Sequence, residues 1–421
     1  MSRNRLLPLA ALAFVAACND DPDVIAPPAG SGALLERYVA LGNSITAGFQ
    51  SGGISNTTQQ QSYAALLAAQ AGTRYSYARL AGNGCPPPIV NFLTGEGEGG
   101  VPAAQRGATC AFRDPATTTG PLNNVGVPNA YAVDPTSTNT VSSNALTQFI
   151  LGGKTQARRA LDADPTFVTL WFGNNDVLSP ALTGLIAPTA GVTQGLTPVA
   201  NFTASIDALI DQLEAGAPSL RGGVAIGVVN TTNIPALFSA NTLFDDPVFQ
   251  AQFRAATGGD PANPATLTVL ANCDNSTSLV SVAIIPQIRL YRANPAAAGA
   301  HPPLISCGVT AAAPAPVGDI FILDATEQTA IANATTAYNA AISARAAQAG
   351  FLYVDPNPLL AQFRANGQIP AVPNFTSATA PFGALISLDG YHPSAAAHRI
   401  IANALIQAIN AGYGQSIPAL P

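Results

Sequence analysis

Four residues could do chemistry together: Ser44, Asn175, Asp389 and His392. The chain has three histidines, His301, His392 and His398. His301 stands in a His-Pro-Pro run and reads as a loop residue. His398 falls inside the last helical stretch, where solvation or local packing is expected. His392 has Asp389 three residues upstream, close enough to bond one ring nitrogen and leave the other facing a serine. That arrangement holds one tautomer and stabilises an imidazolium, as a general base requires. Ser44 lies in Val-Ala-Leu-Gly-Asn-Ser-Ile-Thr-Ala-Gly, where Gly42 permits a tight turn that lifts the hydroxyl onto a sheet edge. Backbone N–H groups at the start of the next segment can face a developing oxyanion. Phe-Gly-Asn-Asn-Asp, residues 172–176, places the neutral two-donor amide of Asn175 after the strongest strand. The bland alternative for this run is a turn with Asp176 as a helix cap.

Positioning these groups requires strands that end at a common edge. Strands are expected at residues 37–42, 74–81, 166–172, 223–229 and 351–355, each an apolar or β-branched run. Helices are expected at 62–71, 202–215, 325–349 and about 393–411, with Pro393 at the first helical position. Alternation of strands and helices implies an α/β fold, a mostly parallel sheet covered on both faces, with the site beyond the carboxyl ends of the strands. Residues 85–144 and 231–319 break the alternation. They read as insertions on one domain of 34–415, because neither has a convincing core of its own.

The blocks Gly42-Asn43-Ser44, Gly173-Asn174-Asn175-Asp176 and Asp389-Gly390-Tyr391-His392-Pro393 together resemble the SGNH hydrolase family, the GDSL-like lipases and acylhydrolases. The resemblance runs from about Tyr38 to about Gly412. It implies a three-layer α/β/α sandwich with a mostly parallel five-stranded sheet of flavodoxin-like order. It also implies Ser44 as nucleophile, His392 as base, Asp389 as its orienter and Asn175 as an oxyanion donor. A second oxyanion donor is a glycine after the second strand; spacing favours Gly84, and Gly82 remains open. The implied activity is cleavage of carboxylic esters through an acyl-enzyme, with no cofactor or metal. One departure is Asn43, which stands where the family commonly has Asp. The alternative is a surface-binding protein on the same scaffold, weak or inactive as a catalyst, holding a glycan or lipid.

Composition narrows the partners. Of 421 residues 48% are hydrophobic and 10% charged, and the net charge is −6 with a single lysine, Lys154. Such a chain can bury a large core, and it lacks the clustered cations of a nucleic-acid surface. An ester of a small molecule, lipid or carbohydrate is the expected substrate. Residues 1–17 read as a signal peptide, with Arg3 and Arg5 before an apolar run. The run ends Val-Ala-Ala-Cys, which resembles a bacterial lipobox. Cys18 is then the lipidated residue, 18–33 a flexible tether, and the membrane is contacted only through that anchor, in the cell envelope. The other cysteines, Cys85, Cys110, Cys273 and Cys307, make an even set suited to two disulfides. Of three connectivities, Cys85–Cys110 and Cys273–Cys307 are favoured, each stapling one insertion. Oligomeric state leaves no mark in the sequence.

Overall fold

Short apolar segments build two larger sheets and two small two-stranded ones in the computed structural model, which describes residues 34–107, 120–137, 145–187 and 195–421. The strands used below are β1 (Tyr38–Gly42), β2 (Phe167–Trp171), β3 (Gly222–Ile226), β4 (Leu237–Ser239), β5 (Leu279–Ser281), β6 (Ile322–Leu323) and β7 (Leu352–Val354). The helices are α1 (Ser44–Ala47), α2 (Tyr63–Ala71), α3 (Gln156–Leu161), α4 (Asn174–Thr183), α5 (Val199–Gly216), α6 (Pro247–Ala256), α7 (Ala325–Gln348), α8 (Asn357–Ala365) and α9 (Ala395–Tyr413).

The main sheet is parallel throughout, in the order β1-β2-β3-β7. Every residue of β1, β2 and β3 is buried, as a sheet covered on both faces demands. Alternate side chains split between two cores. Val39, Leu41, Val168 and Leu170 meet α3, α5 and α7 through Ala157, Phe202, Ile206, Leu209, Tyr338 and Ile342. Tyr38, Ala40, Phe167 and Trp171 meet α2 and α9 through Tyr63, Leu67, Leu405 and Ile409. The result is helix, sheet, helix in three layers. α7 starts where Asp324 and Glu327 form a capping box. α9 starts two residues later than expected: Ser394 caps it by accepting from the Ala397 N–H, while Pro393 forms a bridge with Ile386.

The sheet has four strands among the described residues, not five. Residues 74–81 form no strand of the sheet; Tyr77 alone makes an isolated bridge, to Asn124. Side chains supply their hydrogen bonds instead. Gln59 donates to the Ala78 carbonyl (2.8 Å) and accepts from the Leu80 N–H (3.1 Å). Asn123 Oδ1 accepts from the Ser76 N–H (2.9 Å). The chain at Asn123–Val125 lies between, bonding Ala40 on one side and Ser76 on the other, and Asn124 bridges both Ala40 and Tyr77. The first insertion therefore occupies the edge of β1.

The second insertion also differs from its expectation, because it does help to form a core. β4, β5 and β6 make an antiparallel sheet in the order β6-β5-β4. Phe238, Phe249 and Phe253 converge on Phe375, with ring centroids 5.7–5.8 Å from it, and Phe382 closes the cluster at 6.3 Å. Two of these five rings, Phe375 and Phe382, come from more than a hundred residues downstream of the other three. A disulfide joins Cys273 to Cys307 across 34 residues, as expected. Cys110, and with it the Cys85–Cys110 pairing, lies outside the described residues, as does Cys18. No helix among the described residues is long and apolar enough to cross a membrane.

Candidate active site

Strand register brings the first two motifs together. Gly42, the last residue of β1, pairs with Trp171, the last of β2. Ser44 follows the first by two residues and Asn175 the second by four, so both stand at the carboxyl edge of the sheet. Gly42 has no room for a side chain: a Cβ there would lie 2.1 Å from Thr46 Oγ1. Gly173 turns the chain into α4 at φ 96°, a conformation that favours glycine, with Phe202 and Val228 packed where a Cβ would be. Asn43, fully buried, caps α1 by accepting from the Ile45 N–H (3.1 Å). Its Nδ2 has no hydrogen-bond partner among the described residues.

The third motif meets the first directly. His392 Nδ1 donates to Asp389 Oδ2 at 2.8 Å, which leaves Nε2 to accept from the Ser44 hydroxyl, also at 2.8 Å. All three side chains are buried or nearly so. Phe49 and Tyr391 flank the imidazole, their ring centroids 5.0 and 4.7 Å away. Burial would raise the Asp389 carboxyl, but the charge of His392 and hydrogen bonds from its ring, its N–H and the Gly52 N–H hold it at about 2. Oδ1 accepts from Tyr391 N–H (3.1 Å), His392 N–H (2.9 Å) and Ser387 Oγ (3.1 Å), and Oδ2 accepts from Gly52 N–H (2.7 Å).

The support from residues 51–53 and Ser387 was not foreseen from the sequence. Ser51 N–H donates to Ser387 Oγ (2.8 Å), and Leu388 N–H donates to Ser51 Oγ (3.1 Å), tying two loops 337 residues apart in the chain. Arg106, from the first insertion, grips the same turn by donating to the Gly52 carbonyl (2.8 Å). The consecutive glycines at 52 and 53 are the one signal that could have marked this turn.

Asn175 donates one amide N–H to the Ala130 carbonyl (2.8 Å), which fixes the amide and leaves its second N–H. Asp176 anchors the same loop by accepting from the Ala132 N–H (3.0 Å) and from Thr197 Oγ1 (2.6 Å). Burial pushes the Asp176 carboxyl up to about 6, against those two bonds, with Asp134 adding repulsion. Gly84 lies at φ 95° with its N–H on the Ala81 carbonyl at 3.3 Å; Gly82 lies in the same turn at φ 55°. His398 is fully buried, not solvated. Its Nδ1 accepts from the Tyr63 N–H at the start of α2 (3.1 Å), and burial, with His392 nearby, pushes it down to about 3. His301 is buried as well, Nδ1 donating to the Pro302 carbonyl at 2.7 Å.

The family model for GDSL-like lipases and acylhydrolases matches residues 38–405, nearly the whole described chain. This protein belongs to that family. It is an enzyme that hydrolyses esters, as the family does. Solved structures similar to the chain include a catalytic mutant of Axe2, an acetylxylan esterase from Geobacillus stearothermophilus, at 11% identity, covering 90% of this chain and 95% of that one with a TM-score of 0.33. An extracellular lipase from Streptomyces rimosus is similar at 15% identity, 88% and 98% coverage and a TM-score of 0.31. A phospholipase A1 from Streptomyces albidoflavus is similar at 17% identity, 88% and 98% coverage and a TM-score of 0.28. No curated protein matches the chain at a significant level.

Proposed function

We propose that the protein is a serine esterase in which Ser44 attacks the ester carbonyl, His392 moves the proton and Asp389 orients and stabilises His392. The observation that carries this reading is the pair of 2.8 Å hydrogen bonds joining Ser44 Oγ to His392 Nε2 and His392 Nδ1 to Asp389. Nε2 takes the hydroxyl proton as the Oγ–carbon bond forms, then gives it to the leaving alkoxide as the ester carbon–oxygen bond breaks. Water repeats the sequence on the acyl-enzyme, with Nε2 again the base. The free N–H of Asn175 serves the oxyanion, since the bond to Ala130 already orients its amide. Gly84 is the second donor, its long 3.3 Å bond to Ala81 being easily exchanged for the oxyanion. Gly82, one turn position away, is the alternative. The Asn43 cap supports activity without the usual aspartate, because its carbonyl oxygen supplies the one acceptor that α1 uses. A non-catalytic binding protein on the same scaffold would leave this chain of buried bonds without a use.

Export and anchoring through Cys18 belong to the same proposal, supported by the lipobox-like run and by a disulfide of the kind that persists in oxidising compartments. Cys18→Ser should shift the protein from the membrane to the soluble fraction; unchanged membrane association overturns the anchor. Hydrolysis of p-nitrophenyl butyrate by the wild type and Ser44→Ala tests the chemistry. The variant should fold normally and lose turnover by on the order of 10⁴-fold or more. Equal turnover by the two proteins overturns the assignment of Ser44.

A further inference from the structure

A cleft of about 880 Å³, counting its open mouth, begins at Ser44 and His392 and runs between α8 and α9. Its side chains with polar atoms, Ser44, Trp171, Asn174, Asn175, Thr231, Tyr391 and His392, come from the strand ends and the His392 loop. Elsewhere the walls are isoleucine, leucine, valine, alanine, proline and phenylalanine, and no Asp, Glu, Lys or Arg lines the space. We propose that this cleft holds the hydrocarbon chain of the acyl group, so that the substrates are esters of medium- or long-chain fatty acids. The inference rests on the serine-esterase reading above and adds the substrate class to it.

The form of α8 is the first argument. None of its residues is buried, yet Leu359, Leu360 and Phe363 all line the cleft. Spaced i, i+1 and i+4, they form one apolar face. Ile400 and Ile401 of α9 also line the cleft. A helix normally hides such a face against the core; here Leu360 and Phe363 pack only partly against the second core, and the face also borders open volume continuous with the nucleophile. Chemistry chooses the occupant. A sugar lodged between α8 and α9 would bury hydroxyls with no partners along those two walls, which is unfavourable, whereas a methylene chain needs none. The order of bond changes then selects the acyl side of the ester. The acyl carbon stays bonded to Ser44 Oγ while the alcohol leaves from the His392 side and water enters there. An acyl chain keeps its apolar contacts through both steps. An alcohol chain in the same place would have to withdraw before water could reach Nε2.

The test uses the full chain and p-nitrophenyl acetate, butyrate, hexanoate and octanoate, each below its solubility limit. Each methylene moved from water into the cleft contributes about 0.8 kcal/mol, or about fourfold in kcat/KM. A rise of that order from acetate upward, until the cleft is filled, is the expected result; a flat or falling series overturns the proposal. If the serine-esterase reading itself fails, the wild type outpaces Ser44→Ala on no ester of the series, which is a different outcome. Methyl octanoate and its isomer heptyl acetate separate the two sides of the ester. Faster hydrolysis of methyl octanoate supports the acyl assignment, and faster hydrolysis of heptyl acetate overturns it. Phe363→Gln should lower the octanoate-to-acetate ratio of kcat/KM by about tenfold. An unchanged ratio overturns the part given to α8. Should that variant fail to fold, Leu359→Gln reads the same ratio.

Discussion

Asp389 shows how much of the site is built by neighbours that never touch a substrate. Its two oxygens accept from the ring and backbone of His392, from Tyr391, from Gly52 and from Ser387. Under the proposed mechanism, Asp389→Asn removes the charge that would stabilise the imidazolium and puts a donor where acceptors are required. We expect kcat to fall by on the order of 10⁴ for Asp389→Asn and by on the order of 10⁶ for His392→Ala, measured on one p-nitrophenyl ester. A larger loss for the aspartate variant would contradict its role as orienter. Asp176 gives a prediction about pH. Its folded pKa, about 6, lies above the unfolded value near 3.9. Its contribution to stability is therefore fully present below about pH 4 and is lost as pH rises through about 6. Denaturant melts of wild type and Asp176→Asn at pH 4 and pH 8 should show the wild type losing relative stability at the higher pH, on the order of 2–3 kcal/mol. A pH-independent difference would be incompatible with that shift.

Among elements, residues 74–81 are the instructive case. The composition of Arg-Tyr-Ser-Tyr-Ala-Arg-Leu-Ala favours a strand, but only Tyr77 makes a bridge there, and side chains supply much of the remaining hydrogen bonding. The buried amide of Gln59 pairs with Ala78 and Leu80 as a neighbouring strand would. Gln59→Ala leaves that carbonyl and that N–H without their partner. The expected cost is about 1–3 kcal/mol of stability, read from the denaturation midpoint; a neutral substitution would mean that water or a shifted backbone replaces the amide. Nothing in the local pattern announces such a substitution, because Gln59 lies about twenty residues away from the groups it serves. By contrast α7 and α9 are legible locally, since each begins at a capping residue and repeats its buried positions mostly every three or four residues.

For the whole molecule, the second core separates local from global information. Phe238, Phe249 and Phe253 in the second insertion look too few for a core until Phe375 and Phe382 arrive from the segment before the His392 loop. This core joins the insertion to the segment that leads into Asp389 and His392, so loosening it should disturb the site. The Cys273–Cys307 disulfide closes a loop of 34 residues inside the same region. By loop entropy alone it is worth about 3–4 kcal/mol, so Cys273→Ala with Cys307→Ala should lower Tm by several degrees. An unchanged Tm would show that packing alone holds the insertion.

What the sequence by itself determined was the family, the residues proposed to react and the layering of the fold. A serine after a strand, an Asp and a His three residues apart, and helical or alternating apolar periods are relations between near neighbours, and short spans of sequence carry them whole. Tertiary structure decided the rest: which strand ends lie side by side, which loop completes the Asp389 shell, what replaces the fifth strand and which side chains enclose the cleft. Those depend on register and on contacts between residues hundreds of positions apart. Packing and hydrogen bonding select such contacts by shape and partner, and sequence distance enters only as a modest entropic cost.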